Sequence, residues 1–207
     1  RIGNGNTIFP GAVIGAIPQD LKFRGEESTA EIGDNNLIRE NVTINRGTAA
    51  KGKTCVGSGN LLMESVHVAH DAFVGNDCII GNGTKLAGEI IIDDHAIISA
   101  NVLMHQFCRV GGYTMVGGGT RFSQDIPPYT ICAREPVAYC GLNLVGLRRR
   151  GFSNELIENI HNAYRIIYQG GVPLNEALQK VREEVPASPE IDYIIEFIEN
   201  SKRGFVH

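Results

Sequence analysis

The sequence predicts an all-β parallel β-helix built from hexapeptide repeats, followed by a small C-terminal α-helical domain. Three observations lead to this prediction: apolar residues recur at every sixth position, glycine is enriched, and the apolar spacing becomes helical near the C-terminus. The 207 residues include 25 glycines but only 8 prolines, with 43% apolar and 20% charged residues. This is the balance of a folded globular chain, and its excess of glycine indicates a backbone that turns often.

The six-residue repeat is clearest in the middle of the chain, and the same phase holds upstream from Ile2 to Ile44. A period of six fits neither an α-helix nor a simple alternating strand, but it fits short strands that each end in a turn. Three hexads make one triangular coil, so residues 18 apart should stack at the strand spacing of about 4.8 Å. The twelve successive apolar positions are Val56, Leu62, Val68, Val74, Ile80, Leu86, Ile92, Ile98, Met104, Val110, Val116 and Phe122.

Small residues occupy two further places of the hexad. Glycine often follows the apolar position, where it suits either a positive φ or a close approach between neighbouring coils. Four residues after the apolar position, small or β-branched residues recur, and Cys78 and Cys108 at this place are predicted to pack in the core. The predicted corner glycines include Gly57, Gly75, Gly81, Gly111 and Gly117.

Three segments are predicted along the chain. Residues 1–128 form the β-helix, 129–152 form a connecting segment, and 153–207 form the C-terminal helical domain. Polar stretches interrupt the repeat at 16–31 and at 47–55, and loops that leave a rigid solenoid are where binding groups concentrate. Helices are predicted to begin at Ser153, at Pro173 and at Ser188-Pro189, because serine caps helices and proline favours their first turn.

Charge and cysteine content exclude several functional classes. With 19 basic and 23 acidic residues the net charge is −4, which gives no support for a nucleic-acid partner. No apolar run approaches the ~20 residues of a membrane span, so an integral membrane protein is not expected. The odd number of cysteines, 5, without any C-x-x-C pair, favours a reducing compartment such as the cytoplasm. Because the chain starts in mid-repeat and without a methionine, some N-terminal residues are expected to be missing.

One column of the predicted coil carries candidate catalytic groups. His70 takes an outward-facing corner, with Gly88 one coil above it and Gln106 one coil further. Asp71 follows His70 in the sequence, and His105 precedes Gln106. A base that removes a proton from a hydroxyl, beside a bare backbone N–H that stabilises an oxyanion, is what acyl transfer requires.

Plainer interpretations of these residues stay open. A histidine at a β-helix corner is often only a solvated polar residue. A zinc site through His67 and His70 is disfavoured, because their coil-mates Lys85 and Gly88 are not metal ligands. The arginines of 148–150 either form a solvated face or bind a diphosphate by forked hydrogen bonds.

Several motifs resemble those of the UDP-N-acetylglucosamine 3-O-acyltransferase family, which catalyses the first step of lipid A biosynthesis. The resemblance runs from Arg1 to His207 and is far more specific than the hexad, which many acyltransferases share. The motifs are Gln19-Asp20-Leu21-Lys22, Leu61-Leu62-Met63, His67-Val68-Ala69-His70-Asp71, Leu86-Ala87-Gly88, His105-Gln106-Phe107-Cys108, Gln124-Asp125-Ile126-Pro127-Pro128-Tyr129 and Gly146-Leu147-Arg148-Arg149-Arg150-Gly151-Phe152-Ser153.

The resemblance implies a left-handed β-helix and a cytoplasmic homotrimer with active sites between neighbouring subunits. It implies transfer of an (R)-3-hydroxyacyl chain from acyl carrier protein to the 3-hydroxyl of UDP-N-acetylglucosamine. No metal or cofactor is implied, since the acyl donor is carried on the phosphopantetheine of the carrier protein. Neither the acyl chain length nor the choice between a 3-hydroxyl and a 3-amino acceptor follows from the sequence.

The resemblance also assigns site residues. His70 is the general base, Asp71 orients it, and the amide of Gly88 is the oxyanion donor. Met115 and Gly118 fall where the acyl chain ends, and a glycine there leaves room for a long chain. The implied substrate contacts are Gln19, Asp20, Lys22, His67, His105, Gln106, Asn143, Arg149 and Arg150. Two positions depart from many family members by replacing a histidine, and these are Asn45 and Glu89.

Three rival functions are weighed against this one. The nearest is the N-acyltransferase of the same pathway, which acts on a 2-amino sugar. The others are a metal-dependent β-helix of the gamma carbonic anhydrase kind and a β-helix that binds a carrier protein without catalysis. The Gln-Asp-Leu-Lys loop and the helical tail favour the O-acyltransferase.

Overall fold

The computed structural model describes Arg1 to His207 and forms the predicted left-handed parallel β-helix with a C-terminal helical region. In chain order the strands are β1 Thr7–Ile8, β2 Val13–Ala16, β3 Thr29–Ile32, β4 Leu37–Ile38, β5 Thr43–Asn45, β6 Lys53–Val56, β7 Leu61–Leu62, β8 His67–Val68, β9 Phe73–Val74, β10 Ile79–Ile80, β11 Lys85–Leu86, β12 Ile91–Ile92, β13 Ile97–Ile98, β14 Leu103–Met104, β15 Arg109–Val110, β16 Met115–Val116, β17 Arg121–Phe122, β18 Thr130–Ala133 and β19 Ala138–Leu142. The helices are α1 Leu144–Arg149, α2 Asn154–Gln169, α3 Leu174–Glu184 and α4 Pro189–Glu199.

The strands stack into three sheets that form the faces of the coil. Sheet I contains β1, β4, β7, β10, β13, β16, β18 and β19; sheet II contains β2, β5, β8, β11, β14 and β17; sheet III contains β3, β6, β9, β12 and β15. Ile79 pairs with Leu61 on one side and with Ile97 on the other, which is the predicted step of three hexads. Successive strands therefore turn three corners per coil, named here I–II, II–III and III–I after the sheets they join.

The apolar hexad positions form the core of the coil. All twelve positions predicted from Val56 to Phe122 are at most 4% exposed, and Cys78 and Cys108 behind them are fully buried. In the first coil Ile2 and Ile8 are about half exposed, because a single neighbouring coil covers them. Each added coil thus buries the apolar face of the one before it, as expected for a solenoid.

The corner glycines are required by close stacking and not by a positive φ. A Cβ on Gly81 would lie 2.5 Å from the backbone nitrogen of Ala100 in the next coil. The left-handed backbone occurs two residues later in the hexad, where Asn101 (φ 56°) and even Phe107 (φ 70°) adopt it. The sequence offered either a positive φ or a close approach between coils as the reason for these glycines, and the structure shows that it is the close approach.

Both insertions leave the coil at corner II–III. The first spans residues 17–28 between β2 and β3, and the second spans 46–52 between β5 and β6. Both are shorter than the predicted interruptions of 16–31 and 47–55. The last residues of each predicted interruption belong instead to β3 and β6, which pair with each other in parallel along their whole length. Across the insertions, partner strands are consequently separated by more than three hexads of sequence: Ile14 pairs with Ile44, and Ile44 pairs with Val68.

The segment predicted only as a connection, 129–152, contains ordered elements. β18 extends sheet I beside β16 and pairs antiparallel with β19, and α1 follows with Asn143 as its N-cap. The periodic pattern carried no signal for them, since the hairpin lacks the hexad period and α1 is less than two turns long. Ser153 and Ser188 cap α2 and α4 as predicted, and Pro173 precedes α3.

The helical region packs against the last coils through buried tyrosines. The Tyr164 hydroxyl donates to the carbonyl of Pro128 at 2.7 Å, and the Tyr193 hydroxyl donates to Asp93 at 2.6 Å. These bonds fix the helical region, which includes α1 and its arginines, against corner III–I. None of the helices has the length and apolar character that a membrane span requires.

Candidate active site

His70 and Asp71 form a hydrogen-bonded pair at corner II–III, in the turn between β8 and β9. His70 Nδ1 lies 2.9 Å from Asp71 Oδ2. The left-handed backbone at Asp71 (φ 60°) turns the chain so that these consecutive side chains meet. The Asp71 side chain is fully buried, whereas that of His70 keeps 17% of its surface exposed. The imidazole is thus held from below and open toward solvent on its other side.

The second insertion supplies the remaining partners of Asp71. Its carboxylate accepts hydrogen bonds from the Thr48 backbone N–H at 2.9 Å and the Thr48 hydroxyl at 2.6 Å. Burial raises the pKa of Asp71, but the bonds from Thr48 and His70 outweigh burial and hold that pKa below its ordinary value. An ionised Asp71 can only accept, so His70 Nδ1 carries the proton and Nε2 is free to take another.

Gly88 lies against the imidazole from the next coil. A Cβ at this position would come within 2.6 Å of both Cε1 and Nε2 of His70, so any larger residue would displace the ring. The Gly88 backbone N–H donates to no other atom of the chain, although the residue is buried. A free N–H beside a proton-accepting Nε2 can stabilise an oxyanion that forms next to the base.

A cleft of about 360 Å³ opens in front of this pair and brings several predicted residues together. Gln19 reaches it from the first insertion, because that insertion leaves the coil at the same corner as His70. The lining residues are Gln19, His67, Ala69, His70, Lys85, Leu86, Ala87, Gly88, Leu103 and Met104.

His67 is fixed within the cleft in its neutral form. Its Nδ1 lies 2.7 Å from the Thr43 hydroxyl of the coil below. Burial, then the nearby Lys85 ammonium and His70, lower the pKa of His67. A neutral imidazole held by one nitrogen presents the other to a ligand as a hydrogen-bonding group.

His105 and Gln106 stand one coil above Gly88 on the same corner, and both are exposed. His105 Nδ1 lies 3.0 Å from the Gln106 carbonyl oxygen. His105 lines a second cavity, of about 540 Å³, that shares Leu103 and Met104 with the first. The two cavities therefore meet at β14 of sheet II and form one groove.

Other predicted residues lie outside this groove. Asp20 and Lys22 belong to the first insertion, where the Lys22 backbone N–H donates to Asp20 Oδ1 at 3.0 Å, and neither lines the cleft. Met115 lies on sheet I, and Gly118 lies at corner I–II beside Ala100. The structure thus separates the residues expected at the end of the acyl chain from the His70 cleft of the same chain.

The residues expected to contact UDP are divided between two corners: Gln106 lies at corner II–III, whereas Asn143 and Arg150 contact residues of corner III–I. The Asn143 side chain makes two hydrogen bonds within the chain and keeps its second amide N–H: it donates to the Tyr113 carbonyl at 2.9 Å and accepts from the Gly146 backbone at 3.1 Å. Arg149 is exposed in the last turn of α1, and Arg150 follows it as the C-cap. The Arg150 guanidinium contacts His95 and Tyr113 of corner III–I, whereas His70 of the same chain lies at corner II–III.

Sequence reasoning missed Thr43 and Thr48, which fix His67 and Asp71. The available signal was the length of the second insertion, since the coil-mates Ile44 and Val68 on either side of it are separated by more than three hexads. Of the two departures from the family pattern, Asn45 anchors the first insertion by donating to the Ile17 carbonyl at 2.9 Å. Glu89 donates its backbone N–H to the His70 carbonyl at 3.0 Å.

No group of three or more His, Cys, Asp or Glu side chains in the chain is arranged to hold a metal ion. The pair of His67 and His70, weighed above as a zinc site, therefore lacks a third ligand of these types.

Comparisons with known proteins agree with the motifs. Residues 125–206 match the family model described as Udp N-acetylglucosamine O-acyltransferase, Domain 2. The chain is 47% identical, over 98% of its length and 79% of the relative's, to an acyl-[acyl-carrier-protein]–UDP-N-acetylglucosamine O-acyltransferase of Myxococcus xanthus.

Solved structures give the same result. A UDP-N-acetylglucosamine acyltransferase from Bacteroides fragilis superposes with a TM-score of 0.98 at 77% identity, over 100% of this chain and 81% of that one. The Arabidopsis enzyme superposes with a TM-score of 0.93 at 34% identity, over 98% and 74%. The family predicted from the motifs is confirmed. The chain belongs to the acyl-[acyl-carrier-protein]–UDP-N-acetylglucosamine O-acyltransferase family, and it is an acyltransferase.

Proposed function

We propose that this chain transfers an (R)-3-hydroxyacyl group from acyl carrier protein to the 3-hydroxyl of UDP-N-acetylglucosamine, in the first step of lipid A biosynthesis. The observation that carries the proposal is the His70–Asp71 pair set against the free N–H of Gly88, at the mouth of a cleft that Gln19 and His67 also line. These groups are a base and an oxyanion donor within reach of one reacting centre.

In the proposed reaction His70 Nε2 takes the proton of the sugar hydroxyl as that oxygen attacks the thioester carbonyl of the donor. The carbonyl oxygen becomes an oxyanion, which accepts a hydrogen bond from the Gly88 N–H. The intermediate then breaks its C–S bond, and the phosphopantetheine thiolate leaves with the proton that His70 returns. Asp71 stabilises the imidazolium between these two transfers. The sugar oxygen attacks directly, so no acyl-enzyme forms and no metal is required.

The nucleotide and the acyl chain require other corners of the coil. The two guanidinium groups of Arg149 and Arg150 are suited to bind a diphosphate by bidentate hydrogen bonds. However, they belong to corner III–I, whereas His70 of the same chain lies at corner II–III. Gly118, at corner I–II, is exposed, and a Cβ there would lie 3.3 Å from the Ala100 carbonyl oxygen, so only glycine leaves this surface clear at the expected end of a long acyl chain. We therefore propose a homotrimer in which one subunit supplies His70 and its neighbour supplies the arginines. Asp20, Lys22, His105, Gln106 and Asn143 complete the proposed substrate contacts.

A cytoplasmic location belongs to the same proposal. The five cysteines are all unpaired, and Cys140 is exposed, which suits a reducing compartment. Carrier-protein thioesters and nucleotide sugars are also supplied there.

Mass spectrometry of the reaction product tests the function. Purified enzyme receives a mixture of 3-hydroxyacyl carrier-protein donors of different lengths together with UDP-N-acetylglucosamine. We expect a single acyl ester on the 3-oxygen of the sugar, with long chains preferred because Gly118 leaves room for them. The control acceptor is the de-N-acetylated 3-O-acyl sugar nucleotide. An amide formed on that control, with no ester on UDP-N-acetylglucosamine, would assign the chain to N-acyl transfer.

Subunit mixing tests whether the site is shared. A His70→Ala chain and an Arg149→Ala, Arg150→Ala chain are each expected to be nearly inactive alone. If His70 and the arginines of neighbouring subunits meet, trimers that contain both variants regain activity at about one site in three, because only one of their three interfaces joins an intact His70 to intact arginines. Unmixed trimers of each variant are the control. Mixed trimers that stay as inactive as the parents would show that each site is built from one chain.

A further inference from the structure

Arg150 is held at corner III–I by two aromatic side chains of the coil. Its Nη1 lies 2.8 Å from His95 Nδ1, and its guanidinium carbon lies 5.8 Å from the centre of the Tyr113 ring. The His95 and Tyr113 rings are themselves in contact, with centroids 4.7 Å apart. The exposed Arg150 side chain is therefore held in one position, although arginine side chains on a surface are ordinarily mobile.

We propose that His95 is a positioning residue for the nucleotide: it orients Arg150 through a hydrogen bond that exists only while its imidazole is neutral. The inference rests on the role proposed above for Arg150 as a contact to the sugar nucleotide. Guanidinium groups donate and never accept, so Nδ1 of His95 must be the acceptor and its proton resides on Nε2. An oriented guanidinium binds a diphosphate without the ordering cost that a free one incurs.

The backbone beneath Arg150 is fixed independently of His95. Arg150 caps α1 with its backbone N–H, and the Phe152 N–H donates to the Leu147 carbonyl at 3.2 Å. The Phe152 ring then packs edge-on against Tyr113, with centroids 5.0 Å apart. Because these contacts already place the Cα of Arg150, the contribution of His95 is confined to the far end of the side chain.

Asp77 makes the hydrogen bond between Arg150 and His95 depend on pH. Its Oδ2 lies 3.7 Å from the same Nδ1 of His95, in the coil below. A protonated His95 would donate to Asp77 and repel the guanidinium, so acidification should release Arg150. The other groups around the imidazole are the Tyr113 hydroxyl in the coil above and the carboxylates of Asp94 and Glu190 near that hydroxyl.

Two variants separate the ring from the acceptor. His95 has a left-handed backbone (φ 63°), which asparagine tolerates well and which Phe107 adopts at the equivalent turn position. His95→Phe keeps an aromatic ring on Tyr113 but lacks the acceptor. His95→Asn keeps an acceptor oxygen at the position of Nδ1 but has no charge to gain. Both are expected to fold as the parent does.

The experiment measures the dissociation constant of UDP-N-acetylglucosamine by calorimetry, without acyl donor, at about pH 8 and about pH 5.5, the range in which histidines change charge. At the higher pH we expect His95→Phe to bind about three- to tenfold more weakly than the parent, and His95→Asn to bind about as well as the parent. On acidification the parent should lose more affinity than His95→Asn. Any loss of affinity that the parent and His95→Asn share on acidification comes from the protonation of other histidines.

Equal binding by His95→Phe and the parent at both pH values would overturn the inference, as would equal acid sensitivity of the parent and His95→Asn. Arg150→Ala separates this failure from failure of the proposed function. If Arg150→Ala weakens binding and His95→Phe does not, only the positioning role is wrong. If Arg150→Ala binds normally, the role proposed for Arg150 itself is wrong.

Discussion

His70→Ala is expected to lower kcat by about two to four orders of magnitude while the fold and the affinity for UDP-N-acetylglucosamine persist. The substitution removes the group proposed to take the hydroxyl proton, and with it the partner that Asp71 stabilises as an imidazolium. Asp71 keeps both hydrogen bonds from Thr48, so its buried charge stays satisfied and the cost in stability should be about 1 kcal/mol. Steady-state kinetics, calorimetric binding and thermal unfolding of the same preparation check the three parts.

His161→Ala is the matched control for this substitution. His161 lies exposed on α2, far along the chain from the cleft, and its Nδ1 lies 3.9 Å from the Glu158 carboxylate. It makes the same chemical change without touching the groove, so its kinetics should equal those of the parent. Near-normal turnover by His70→Ala would show that another group acts as the base. A parallel loss of binding would show that His70 holds the sugar and does not act on its proton.

The sequence predicted this part of the site because the repeat is unbroken there. From Val56 to Phe122 every coil is three hexads long, so Gly88 could be placed beside His70 by counting. The same counting placed Gln106 and His105 at the next level of the corner. Wherever hexads run without insertions, the sheet or corner on which a side chain lies can be found by counting residues along the β-helix.

Thr48 escaped prediction for the converse reason. It belongs to an insertion, and its bond to Asp71 joins two positions whose separation no multiple of the hexad describes. Thr43 was missed as the partner of His67 because the same insertion lies between them and adds to the length of the coil. The course of an inserted loop depends on contacts made by the whole coil, such as the parallel pairing of β3 with β6.

The position of the Arg150 side chain could not be predicted from the sequence either. The hairpin of β18 and β19 and the short α1 carry no hexad period, so nothing in the pattern places Arg150 near His95. Their positions follow from tertiary packing, in particular the ring contacts of Tyr113 with Phe152 and Tyr129. The resemblance to a family suggests a role for the arginines, and the structure places Arg150 at corner III–I.

Gly88→Ala is expected to lower activity by about a hundredfold or more while stability changes little. The added Cβ would lie 2.6 Å from Cε1 and Nε2 of His70, and the atoms it meets belong to a side chain with one face open. The ring can therefore rotate away at little cost, which separates Nε2 from the Gly88 N–H. Misplacing a reacting group by about 1 Å is enough to cost about a hundredfold in rate. The Gly88 N–H itself survives the substitution, so the loss would report the geometry between base and donor.

Gly81→Ala is the contrasting variant, because its Cβ would meet backbone. That atom would lie 2.5 Å from the nitrogen of Ala100 and the carbonyl carbon of Ser99, which belong to the next coil and have nowhere to move. We expect about 1–3 kcal/mol of lost stability from this overpacking, with the remaining folded enzyme turning over normally. Thermal unfolding and kcat measured side by side should thus give opposite patterns for the two glycines. If Gly88→Ala is as active as the parent, the reaction does not depend on the position that the imidazole takes against Gly88, and the proposed geometry of base and oxyanion donor is wrong.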